Sequence, residues 1–302
     1  MLTYDEYVSA SSLDEAFDAL DRIPGARIVA GATDLLPWAR EGRAGDVHLP
    51  ALVDVSAIAE LGIVNDAGDR IQVGAAVPLI SFEEDARLVA KAQVLGRCAV
   101  WFADDQIREQ ATLGGNIVNA SPAGDSLPAL LAMNAGLVLV RRVEGALIKR
   151  RMMLAEFITG PGKTQLLPRE ILLRVEFDPT PGYGASFEKV GHRRSLAIST
   201  VCMAALARLD ANGAIDDVRV AIGAVGPVPE RLVDAERALA GTQPDAANVR
   251  EIAEQTADRV RSRSRQAYRR EVLVNFVERG LIDALRRAGA SIERLEKEMS
   301  NV

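Results

Sequence analysis

Two short stretches of small and polar residues could grip a ligand through their backbone. The first is Val29-Ala30-Gly31-Ala32-Thr33-Asp34-Leu35-Leu36. Small side chains after a strand leave main-chain N–H groups uncovered, and successive uncovered N–H groups make a concave anion site. A helix beginning near Leu35 adds the positive end of its dipole. A pyrophosphate suits such a loop. The second stretch is Ala111-Thr112-Leu113-Gly114-Gly115-Asn116-Ile117-Val118-Asn119, running on through Ser121-Pro122-Ala123-Gly124 to Asp125. It reads as a pair of glycine-rich loops in which Gly114 and Gly115 let a ligand touch main chain. Thr112 offers a hydroxyl, Asn116 a donor and an acceptor, and Asp125 an acceptor for sugar or ribityl hydroxyls. The first stretch alone reads better as an ordinary tight turn, and the second reads also as a structural loop; the two together favour a shared ligand.

Other chemistries fail on spacing or count. Gly160-Pro161-Gly162-Lys163-Thr164 imitates a phosphate loop, but Phe157 stands where that motif needs its first glycine. Gly182-Tyr183-Gly184 is followed by Phe187 where a dinucleotide fingerprint needs its third glycine. Two cysteines, Cys98 and Cys202, cannot ligate an iron–sulfur cluster and read as buried thiols. His48 and His192 are the only histidines, too few for a zinc site. A net charge of −6 argues against nucleic acid and suits a cytoplasmic enzyme. The first ten residues include Asp5 and Glu6 and do not read as a signal peptide. The longest apolar stretch, 127–140, is too short to span a membrane. Arg259, Arg261, Arg263, Arg265, Arg269 and Arg270 form a basic run, read as a solvated helix face with local acidic partners; the sharper alternative is a docking surface for an acidic protein.

The elements that must position these residues follow from periodicity. The 302 residues, 48% hydrophobic and 26% charged, predict a soluble globular chain of two domains or one large α/β unit. Ser12 and Glu15 mark a helix start, with Leu13, Ala16, Phe17 and Leu20 on one face. Strands are expected at 26–30 and 51–55, a helix from Leu35, and a hairpin over 63–73 around Asp66-Ala67-Gly68-Asp69. Helices are expected from Pro78, over 88–103 and over 127–133, then a strand at 137–140. Pro179-Thr180-Pro181-Gly182-Tyr183-Gly184 reads as the linker. Beyond it lie paired strands at 197–209 and 218–225 around Asn212-Gly213, helices at 235–239, 248–263 and 271–287, and a charged helical tail over 291–302.

With these stretches in place the chain resembles the FAD-binding (medium) subunit of molybdenum hydroxylases, the flavoprotein family of xanthine dehydrogenase and carbon monoxide dehydrogenase. Ala-Gly-Ala-Thr-Asp-Leu-Leu at 30–36 and Thr-Leu-Gly-Gly-Asn at 112–116 are similar to its two FAD signatures. Ile107-Arg108 precedes the second signature, and Ser121-Pro122 and Asp125 follow it, as in the family. Glu170-Ile171-Leu172-Leu173 resembles the strand whose leucine packs near the flavin. Phe187-Glu188-Lys189-Val190-Gly191 to Ala197-Ile198 resembles the start of the C-terminal domain, and Ala267-Tyr268-Arg269-Arg270 a segment near its end.

The resemblance implies an α+β fold. A two-part FAD-binding domain of the vanillyl-alcohol-oxidase/PCMH-like type would fill 1–178, with subdomains about 1–55 and 56–178. A smaller α+β domain of the CO dehydrogenase flavoprotein type would fill 183–290. It also implies roles: Ala30, Gly31, Ala32, Thr33, Asp34 and Leu35 around the pyrophosphate, and Thr112, Gly114, Gly115, Asn116 and Ser121 against FAD. Asp125 would bind cofactor hydroxyls, and Leu172 and Lys189 would lie at the isoalloxazine ring, the lysine stabilising negative charge on reduced flavin. The family usually carries two adjacent glycines in the first signature, and here the second is Ala32. If that position needs positive φ, alanine costs about 1 kcal/mol.

No catalytic side chain and no metal site are implied in this chain. Electrons would come from a small subunit with two [2Fe–2S] clusters, beside a large molybdopterin-binding subunit, in a dimer of heterotrimers, and leave to NAD⁺, O₂ or another acceptor. Two alternatives remain open. One is a stand-alone FAD oxidase or reductase, which needs its own catalytic His, Tyr or Cys over the flavin. The other is a non-enzymatic binding protein that has lost FAD.

Overall fold

The computed structural model describes residues 2–40, 47–193, 195–262 and 264–291. Arg263 of the basic run, and the tail expected beyond Ser291, lie outside the described residues.

The chain opens on three parallel strands in the order Leu2–Ser9, Val47–Asp54, Arg27–Val29. Helix Leu13–Arg22 buries Leu13, Ala16, Phe17 and Leu20 against them. Its start is where Ser12 and Glu15 predict it. The Ser12 hydroxyl accepts the Glu15 N–H, but the Glu15 carboxylate reaches back to Ser11, one residue earlier than a capping box requires. Arg27–Val29 is an edge strand, so the loop after it opens beyond the carboxyl end of a parallel strand, where crevices form.

A second, antiparallel sheet follows in the order Val64–Asp66, Ile71–Gly74, Glu170–Phe177, Gly136–Val143, Ala146–Met153. Ala146–Met153 is absent from the sequence reading because it is an exposed edge carrying Lys149, Arg150 and Arg151, without apolar alternation. Cations on an edge strand deter unwanted pairing. The helix expected over 88–103 is two, Ala86–Lys91 and Gln93–Trp101, broken at Ala92. The Gly-Pro-Gly-Lys stretch closes a small hairpin, Ile158–Gly160 with Lys163–Thr164.

The third sheet is antiparallel: Gly184–Gly191, Ser199–Leu209, Ile215–Gly223, Glu230–Arg231. Ser199–Leu209 is an almost unbroken run of apolar residues because both of its faces are buried. Cys202, Ala204 and Leu206 join the core shared with the first two sheets, against helices Gln93–Trp101 and Ser126–Ala132. Val201, Met203, Ala205 and Ala207 face the long helix Gln266–Arg287. That helix sits unusually close. A β-carbon at Gly184 would stand 1.9 Å from the Ala284 carbonyl oxygen, and one at Gly280 would stand 2.5 Å from Met203 Sδ.

A polar belt also ties the second and third sheets. Asp178 receives Arg70 at 2.8 Å and Arg219 at 2.9 Å, and Arg231 reaches both Asn134 and Glu236. Tyr183 donates to Asp217 beneath the guanidinium of Arg208. The architecture is α+β, and no helix among the described residues is long and apolar enough to cross a membrane.

Adding a single methyl at Gly184 must push the long helix off its strand. Gly184→Ala is expected to lower unfolding free energy by about 1–3 kcal/mol in urea denaturation; unchanged stability would show that the helix tolerates the gap.

Candidate functional site

The three layers leave a cleft of about 670 Å³ between them. Its walls come from the first loop, from the second stretch, from strand Glu170–Phe177, and from the loop joining the first two strands of the third sheet. Of the residues singled out in the sequence, Ala30, Gly31, Ala32, Thr33, Asp34, Leu35, Thr112, Gly114, Gly115, Asn116, Ser121, Asp125 and Leu172 all line this one cleft. Lys189 does not.

The two stretches touch. A β-carbon at Gly31 would lie 1.9 Å from the carbonyl oxygen of Gln110, so only glycine lets the first loop come this close. Asn119 Nδ2 then donates to Asp34 Oδ2 at 2.8 Å across the same seam. Burial by the cleft walls raises the Asp34 carboxyl above its ordinary range. The main-chain N–H groups of Gly31, Ala32, Thr33 and Asp34 have no acceptor among the described residues, whereas the Leu36 N–H already binds the Ala32 carbonyl. Ala32 is left-handed, with φ at 52°, the conformation in which a β-carbon costs about 1 kcal/mol.

The second stretch corrects the sequence reading. Thr112–Asn116 is not an open loop but the start of helix Leu113–Asn119, with Thr112 as its cap. Its donors are spent inside the protein. Leu113 N–H binds the Val77 carbonyl, Gly114 N–H the Ala75 carbonyl at 2.8 Å, and Gly115 N–H the Thr112 hydroxyl at 3.0 Å. Gly114 is bare because a β-carbon there would stand 2.5 Å from that of Ala75. The polar groups that this stretch still offers to the cleft are side chains. Asn116 Oδ1 takes the Ser126 hydroxyl at 2.6 Å, leaving its NH₂ without a partner among the described residues. Ser121 Oγ takes the Ala123 N–H and keeps its own proton to donate.

Asp125 is buried with both oxygens engaged: Oδ2 by Lys189 Nζ at 2.5 Å and Oδ1 by Ser199 Oγ at 2.5 Å. Desolvation pushes the Asp125 carboxyl upward, and Lys189 and Ser199 pull the other way. Lys189 also donates to the Trp101 carbonyl at 3.0 Å. The resemblance puts this lysine at the ring; here its ammonium is turned to Asp125, because a desolvated cation needs a counter-charge. Cys98 and Cys202 are buried free thiols, and burial raises both above the ordinary thiol range.

The sequence reading missed part of the wall. Phe102, Ala103, Leu166, Leu196 and Ile198 line the cleft. Ser195 Oγ donates to the Ala103 carbonyl at 3.1 Å, which ties the segment before Ser199–Leu209 to the one after helix Gln93–Trp101. The apolar Leu196-Ala197-Ile198 after His192-Arg193-Arg194 was the available signal.

Known proteins are similar to this chain over nearly its whole length. The family model described as the FAD binding domain in molybdopterin dehydrogenase matches residues 2–180, and that of the CO dehydrogenase flavoprotein C-terminal domain matches 186–284. The chain is 29% identical over 300 residues to the xanthine dehydrogenase FAD-binding subunit of Escherichia coli O157:H7, covering 97% of this chain and 100% of that protein. It is 27% identical to the glyceraldehyde dehydrogenase medium chain of Sulfolobus acidocaldarius, covering 88% and 93%. Quinoline 2-oxidoreductase from Pseudomonas putida 86 shares the fold, with a TM-score of 0.85 and 24% identity over 94% of this chain and 97% of that one. The chain therefore belongs to the FAD-binding subunits of the molybdopterin-dependent dehydrogenases, an oxidoreductase family.

Proposed function

We propose that this chain is the electron-relaying subunit of a molybdenum hydroxylase and that the cleft holds its FAD with the pyrophosphate on Gly31–Asp34. The observation that carries the reading is the row of four consecutive N–H groups in the cleft wall without acceptors among the described residues, on half-buried Gly31, Ala32 and Thr33 and exposed Asp34, since successive free N–H groups form an anion site. The rest of the wall fits the remainder of the cofactor. Asn116 NH₂ and the Ser121 hydroxyl offer donors to a polyhydroxyl chain. Leu172, Phe102, Ile107, Leu196 and Ile198 offer apolar surface to a planar ring.

In this reading Thr112, Gly114 and Gly115 act by holding their helix against Ala75 and Gly31 against Gln110, and Asn116 makes the polar contact. Asp125 reaches the cleft wall, and Lys189, behind it, supports it from the seam between the sheets. When bound, FAD supplies electron storage with release singly or as hydride, between the [2Fe–2S] clusters of a small partner, itself fed by a large molybdopterin subunit, and NAD⁺, O₂ or another acceptor. Relatives named as medium chains or medium subunits support such an assembly, and a dimer of heterotrimers in the cytoplasm is the form proposed. Among the described residues no His, Tyr or Cys lines the cleft, which disfavours a self-sufficient oxidase.

The purified chain is expected to show flavin bands and to release FAD rather than FMN on denaturation. Gly31→Val should cut flavin content at least tenfold, because its side chain displaces the loop from Gln110; wild-type flavin content in that variant would remove the first loop from the site. Ala32→Gly relaxes a left-handed alanine and should raise unfolding free energy by about 1 kcal/mol with flavin retained; a loss of stability would show that the loop is not strained there.

A further inference from the structure

Five charged residues line the cleft: Arg27, Asp34, Asp125, Glu170 and Arg193. Four of their side chains are engaged. Asp34 accepts from Asn119, and Asp125 from Lys189 and Ser199. Glu170 holds Arg150 at 2.7 Å and the Leu167 N–H at 2.9 Å. Arg193 donates twice to the Leu196 carbonyl, at 3.1 and 2.7 Å. The Arg27 guanidinium has no hydrogen bond and no ion pair among the described residues. The basic run lies elsewhere. Arg259 meets Glu230 and Asp234, Arg270 lines a separate groove with Glu254 and Glu271, and Arg261 and Arg265 are exposed to solvent.

The balance of charge gives the free guanidinium its meaning. Lys189 offsets Asp125 and Arg150 offsets Glu170, so neither acid repels an anion in the cleft at full strength. The diphosphate of the proposed cofactor brings negative charge to a loop whose N–H groups carry only partial positive charge and whose last residue, Asp34, is itself an acid. An ionised donor makes a shorter and stronger bond to phosphate than a neutral one. A guanidinium fork also matches two oxygens of one phosphate.

The fold places Arg27 beside that loop. It opens the edge strand Arg27–Val29, and residues 27–35 line the cleft without a break. Only Ile28, Val29 and Ala30 separate it from Gly31. At about 3.3 Å per strand residue, the two α-carbons stand about 13 Å apart at most. A long arginine side chain and a diphosphate cover that span between them.

We infer that Arg27 is a further cofactor-binding residue, whose guanidinium pairs with the diphosphate received by the N–H groups of Gly31–Asp34. The inference rests on the cofactor reading and adds a full positive charge to the contact.

The full chain, stripped of flavin, is titrated with FAD, ADP and adenosine. ADP carries the diphosphate without the flavin, and adenosine carries neither. Arg27→Gln should bind FAD and ADP about tenfold more weakly, the loss of one charged hydrogen-bonding partner, with a flatter salt dependence. Its melting temperature and its adenosine binding should stay at the wild-type values. Arg27→Lys keeps the charge without the fork and should lose less affinity. Lys149→Gln, which removes an exposed cation outside the cleft, should bind all three like wild type. Wild-type affinity for FAD and ADP in Arg27→Gln would overturn the inference, and so would an equal loss for adenosine or an equal loss in Lys149→Gln. A wild-type chain that takes up neither FAD nor ADP would overturn the cofactor reading instead.

Discussion

The Gln110 carbonyl and the bare α-carbon of Gly31 share a space too small for any side chain, and the cleft depends on that contact. It brings the end of a parallel edge strand against the segment that starts helix Leu113–Asn119. Once the two are in register, Asn119 can reach Asp34, and the helix cap at Thr112 lies beside the loop rather than beyond reach of it. The remaining walls are consequences: strand Glu170–Phe177 pairs beside Ile71–Gly74, whose continuation, Ala75, receives Gly114.

The glycines of the two signatures therefore do different work from what their spacing suggests. Protein backbone or a neighbouring alanine sits against Gly31 and Gly114, so a side chain is excluded at both before any ligand is considered. The difference between the stretches lies in which hydrogen bonds are already made. The helix start has consumed its donors on Val77, Ala75 and Thr112, while the first loop has kept its own. Ala32 lies within that loop and holds a left-handed turn without the glycine that would ease it. Lys189 and Asp125 satisfy each other in the seam between sheets, where neither charge could stand alone.

Much of this was legible in the chain itself. Ser12 predicted its helix, Asn212-Gly213 its hairpin, and the two small-residue stretches indeed meet in one cleft. Three features were not legible, for three reasons. Ala146–Met153 hides because an exposed cationic edge lacks the alternation that marks a half-buried strand. The helix at Leu113 was masked by its paired glycines, which local propensity counts against a helix and tertiary packing overrides. The apolar rim at Leu196 and Ile198 is tied to the cleft by bonds to Ala103, contacts between distant segments that no periodicity encodes.

The doubly covered strand Ser199–Leu209 has a thermodynamic corollary. Although two family models divide the chain near residue 180, one face of the third sheet completes the interior of the first part and the other completes that of the long helix. Severing the polypeptide at the proline–glycine linker would strip oily surface bare on both products, inviting aggregation. The halves must melt together, so a cofactor gripped by the amino-terminal portion lends its binding free energy to the carboxy-terminal portion as well, by mass action.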